Sequence, residues 1–152
     1  VTASLVPLLI DALVSACQVA VLCPVHDGHP LSNDPGTFLA VGVDDPADQS
    51  RADSADSQIE YAYAAGRRAS ETATVRCAVQ ATDGDGDLGV ARRDAYAVLD
   101  AVDGILRATH PPLGLPTVTS LRISSTRLYQ DQTAEDGAWV LLAFQVSAAC
   151  TL

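Results

Sequence analysis

Between residues 71 and 81 the chain reads E-T-A-T-V-R-C-A-V-Q-A, with Ala73, Val75, Cys77, Val79 and Ala81 at every second position. That period predicts a strand with one face in a core. The same period recurs over 138–150, where Val140, Leu142, Phe144, Val146 and Cys150 share a face. Shorter patterns predict strands at 19–25, at 37–43, at 58–64 through Ile59, Tyr61 and Tyr63, and at 117–129.

Two stretches switch to the helical period. Leu5, Leu8, Leu9, Ala12, Leu13, Ala16 and Cys17 predict a helix over 5–17, with Ser4 available as a cap and Pro7 in the first turn. Val6, Ile10 and Val14 add a second apolar stripe to it. A helix apolar nearly all round is usually covered on more than one side, here by another element or a neighbouring subunit. A second helix is expected from about 88 to 108, with Leu88, Ala95, Val98, Leu99, Val102, Ile105 and Leu106 on one side. The prolines of H-P-P-L-G-L-P end it.

The order α-β-β-β-β-α-β-β, with strands in runs, predicts an α+β fold: a largely antiparallel or mixed sheet carrying two main helices. At 152 residues and 48% apolar content the chain suits a single domain spanning 1–152. Residues 44–57, with five Asp, one Pro and no large apolar side chain, read as a mobile acidic loop.

Charge narrows the choice of partners. The formal net charge is −10, and all nine basic residues are Arg. Such a surface repels nucleic-acid phosphates and anionic membranes at long range. No apolar run approaches the ~18 residues a membrane helix needs. The N-terminal apolar segment lacks a basic start and carries Asp11, so it does not read as a secretory signal. Cys77 and Cys150 fall at inward strand positions and Cys17 on the helix's core stripe, which suits buried, reduced thiols.

Residues 80–102 satisfy two ligand patterns at once. Gly84, Gly86 and Gly89 spell G-x-G-x-x-G, the dinucleotide fingerprint. Three aspartates would oppose a pyrophosphate there, and no parallel βαβ unit follows. Asp83, Asp85 and Asp87 spell the start of a calcium loop. Leu88 then occupies the position whose turn needs Gly, and a strand precedes it in place of a helix. The reading that remains is a strand-to-helix turn in which Asp87 caps the second helix. No cofactor and no metal is therefore expected.

Cys23, His26, Asp27 and His29, with Cys17 upstream, match no standard zinc spacing. No nucleophile motif occurs, and the carboxylates lie in solvated loops where nothing would raise a pKa. An enzyme is not expected. Arg67 and Arg68 form a basic pair in a turn, either a solvated hairpin tip or an interface pair facing acidic loops of another copy.

Several segments together carry a resemblance. They are the N-terminal amphipathic helix, V-H-D-G-H-P-L-S-N-D-P-G-T-F-L-A-V-G-V-D-D-P, R-R-A-S-E-T-A-T-V-R-C-A-V-Q-A-T-D-G-D-G-D running into A-R-R-D-A-Y-A-V-L-D-A-V-D-G-I-L-R, and the C-terminal D-G-A-W-V-L-L-A-F-Q-V-S-A-A. In pattern and order, nearly the whole chain resembles the tail-terminator proteins of long-tailed phages, particularly those of actinobacteria. The resemblance implies a structural virion protein, assembled in the bacterial cytoplasm, that caps the head-proximal end of the tail tube and stops its polymerisation. It implies a homohexameric ring whose partners are the tail tube protein and the head-tail connector or stopper, with DNA passing through the lumen unbound and no membrane. Val6, Ile10, Val14, Arg67 and Arg68 are the candidate interface residues. The alternatives are a stopper or adaptor of the same neck, or a calcium-binding interaction module.

Overall fold

The alternating residues from Ala73 to Ala81 lie at the centre of the sheet. The structure is a computed structural model describing residues 3–30, 36–47, 53–62, 68–135 and 137–152. Its elements run α1 (Val6–Ala20), β1 (Val25–Asp27), β2 (Phe38–Val41), β3 (Ala55–Tyr61), β4 (Ala69–Asp83), α2 (Leu88–Ala108), β5 (Val118–Thr133) and β6 (Gly137–Thr151). The sheet order is β1-β2-β4-β6-β5, and β3 pairs with β4 beside β2. Among the described residues, only β1 and β2 pair in parallel; the other pairings are antiparallel. The fold is α+β, as the order of elements predicts.

Both helices pack on one face. Leu9, Leu13 and Cys17 of α1 and Ala95, Val98 and Val102 of α2 enter one core with the inward residues of β4 and β6. Every alternating position expected on those two strands is buried. β2 is buried on both sides: Leu39 and Val41 join the main core, while Phe38, Ala40 and Val43 form a small cluster on the opposite face.

Local pattern misjudged three segments. The strand expected at 19–25 is the last turn of α1, a loop and the start of the three-residue β1. Helical hydrogen bonding continues until the Val21 amide donates to the Cys17 carbonyl at 2.9 Å. The apolar run that suggested a strand is partly uncovered, with Val19 and Leu22 both exposed. β3 begins at Ala55, so the end of the expected acidic loop is strand. Its pairing, from Ala55 opposite Val75 to Tyr61 opposite Ala69, overrides the weak strand preference of Asp56 and Ser57. Finally, Leu8 leaves the predicted core stripe of α1 and is 47% exposed, while Val14 of the second stripe enters the core. Tyr63 lies outside the described residues.

Candidate assembly surfaces

The N-terminus of α1 is held by a side chain from the middle of the chain. Glu71 sits two residues before Ala73 and thus on the inward face of β4, only 1% exposed. Its Oε2 accepts the Leu5 N–H at 2.6 Å, and the Ser4 hydroxyl donates to Oε1. Ser4 Oγ in turn accepts the Val6 N–H at 3.2 Å. Leu5, the N-cap residue, offers no side-chain cap of its own, so Glu71 supplies the negative charge that a helix start favours.

Burial pushes the Glu71 carboxyl up. Hydrogen bonds from Ser4, the Leu5 amide, Ser57 and Cys150 outweigh it and hold the group below its ordinary value. Cys150, opposite Glu71 across the strand pair, donates its thiol to the Glu71 carbonyl at 3.4 Å. Burial first, and the Glu71 charge second, raise that thiol's pKa. The alternation beginning at Ala73 extends back to Glu71, so its place on the inward face was readable. That helix α1 would meet it was not.

The second stripe of α1 divides. Val14 is buried, and Val6 and Ile10 are half-buried against the main core. The most exposed large apolar side chains on this helix are Leu8 and Val19.

The acidic turn is built as a strand-to-helix junction. Asp83 Oδ2 accepts the Asp87 N–H at 2.7 Å, and Asp87 Oδ1 accepts the amides of Gly89 at 2.9 Å and Val90 at 3.2 Å. Two of the three aspartates thus serve backbone amides. The Gln132 side-chain amide, near the β5–β6 turn, donates to the Gly86 carbonyl. Gly137 passes so close that a Cβ there would lie 2.4 Å from the Asp83 carbonyl oxygen. Gly84, Asp85, Gly86, Gln132, Thr133 and Gly137 line a shallow, polar depression.

Cys17 lies near both Cys23 and Cys77, in the core beneath the helices. All four cysteines are free; Cys17, Cys77 and Cys150 are buried, and Cys23 is half-buried. Burial pushes the Cys17 thiol up to about 11 and Cys77 to about 12, leaving both unreactive near neutrality. His26 packs edge-on against Phe38, with ring centroids 5.6 Å apart. Among the described residues, no three His, Cys, Asp or Glu side chains gather as metal ligands. No helix among them is long and apolar enough to cross a membrane.

Arg67 lies outside the described residues, and Arg68 is exposed just before β4. The sheet's margins carry further exposed side chains: Tyr61 on β3, and Leu128 and Tyr129 on β5. Arg127 donates to the Tyr129 hydroxyl at 3.3 Å.

No family model and no curated protein matches the sequence. The fold does match a solved structure: a chain of the "Virion of native gene transfer agent (GTA) particle" aligns with a TM-score of 0.62. The alignment covers 98% of this chain and 99% of that one at 12% identity. The likeness is one of fold. It spans both chains nearly end to end, so no element of this chain is left as an appendage to a smaller shared core.

Proposed function

We propose that the protein is a structural component of a phage-like virion, and within that class a tail terminator. The observation that carries the reading is the end-to-end likeness of fold to a chain of a gene transfer agent particle. The order of segments resembling tail terminators refines it to the head-proximal end of the tail. A surface of net charge −10 suits a ring through which DNA passes without adhering. The protein acts by occupancy: its contacts with the last tube ring outcompete addition of the next, and its other face receives the connector of the head.

Electron microscopy after disruption of the gene tests this. A terminator's loss leaves a growing tube end exposed, so tails of irregular and often excessive length accumulate without joining heads. Uniform, normal-length free tails beside unattached or leaking heads would reject the terminator and favour a stopper or adaptor.

A further inference from the structure

The two margins of the sheet are complementary. β5 ends it on one side with β6 as its neighbour, and β3 lies on the other with β4 as its neighbour. Exposed strand edges offer backbone donors and acceptors to another chain, and proteins commonly blunt them with charge. Here the charges have opposite signs on opposite margins. β3 carries Asp56 and Glu60 and no basic residue, whereas β5 carries Arg122 and Arg127, and its one acidic residue, Asp131, lies beyond them towards the β5–β6 turn. All four side chains are exposed.

Their spacing agrees as well. Arg122 and Arg127 are five residues apart, but the bulge between Ile123 and Ser125 absorbs one. They therefore stand opposite Ser147 and Ala143, four positions apart on β6, and share the face turned away from the helices. Asp56 and Glu60 are also four apart, opposite Thr74 and Ser70 of β4, on that same face. Each pair spans about 13 Å at the usual strand rise.

We propose that β5 of one copy pairs antiparallel with β3 of the next, continuing the sheet from subunit to subunit. Arg122 then faces Glu60, and Arg127 faces Asp56, of the next copy. The same register matches the helix-side face. Leu121 meets Tyr61 and Ile123 meets Ile59, so Tyr61, 76% exposed in the single chain, gains an apolar neighbour. Asp56 also lies 3.4 Å from Arg76 of its own chain, which makes Arg122–Glu60 the cleaner pair to test. The contact joins unlike surfaces, so it closes into a ring if the rotation per subunit allows and otherwise extends as a filament.

This inference rests on the sheet margins and not on the virion reading, and the two can fail separately. Sedimentation and light scattering of the purified full chain, up to its solubility limit, provide the test. Wild-type protein should self-associate. Arg122→Glu and Glu60→Arg should each weaken association by on the order of tenfold or more, with unchanged circular dichroism. Mixing the two variants, or combining both changes in one chain, should restore it. A wild-type monomer at every concentration, wild-type association by Arg122→Glu, or no recovery on mixing and combining would each overturn the proposal, whatever tail lengths the gene disruption gives.

Discussion

The carboxylate of Glu71 accepts the amide proton of Leu5 at 2.6 Å across a sequence separation of 66 residues. A helix start whose N-cap residue, Leu5, offers no side-chain acceptor is thereby fastened to the central strand of the sheet. The carboxyl is held below its ordinary value of 4.5 in the folded state. Its contribution to stability is therefore complete above that value and is lost as pH falls through the lower folded value. Glu71→Gln should cost about 1–3 kcal/mol near neutrality. It should also flatten the acid limb of the stability curve, which urea unfolding at several pH values measures. An acid limb as steep in the variant as in the wild type would mean that other carboxylates dominate it.

The acidic turn separates capping from cation binding. Asp87→Ala removes the acceptor for two α2 amides and should cost roughly 1 kcal/mol. Asp85→Ala, at an exposed position with no such role, should stay within about 0.5 kcal/mol of wild type. A calcium loop would reverse the importance of Asp85. Isothermal titration should reveal no micromolar calcium affinity, and a micromolar site abolished by Asp85→Ala would defeat the junction reading.

Gly137 has a positive φ of 75° as well as the close approach to Asp83. Gly137→Ala should destabilise by about 1–3 kcal/mol, because strain and steric conflict with rigid backbone combine. Equilibrium unfolding checks this, and an unchanged midpoint would show that β6 can shift away from the end of β4 freely.

Two neighbouring apolar positions on α1 should behave differently. Ile10 packs against the core, so Ile10→Asp should lower monomer stability by about 1–3 kcal/mol. Leu8 is half-exposed, and Leu8→Asp should cost less than about 0.5 kcal/mol. Equal losses in denaturant melts would show that Leu8 is covered in the folded protein in solution.

The order of elements was legible because long inward patterns leave little choice. Ala73 to Ala81 and Val140 to Val146 place an apolar residue at every second position, although Ala78, Leu141 and Ala143 are apolar on the other face. A slip by one residue would turn either strand's larger side chains away from the helices. The span 88–108 was equally clear, for Asp87 supplies a cap at one end and prolines follow the other. Legibility failed where partners decide. Val19–Val25 had the composition of a strand, but helical hydrogen bonds extended into it. Asp56 and Ser57 have little strand preference, and β4 recruits them. Of the candidate interface residues, Val14 became core and Arg67 lies outside the described residues. The capping role of Glu71 leaves no local trace in the sequence, because the helix start it serves lies 66 residues away.

Both ends of the described chain reach nearly the same station of β4. Leu5 is fastened at Glu71, and the Leu152 amide donates to the Ala69 carbonyl at 2.8 Å. Tension entering at Ser4 and leaving at Leu152 would therefore bypass most of the sheet. It would act on two anchor points about 7 Å apart along one strand. The load would peel α1 from its carboxylate and unzip the last rungs between β6 and β4 one at a time, while the long register from Val75 to Asp83 bore none of it at first. Under mechanical force, this corner yields first.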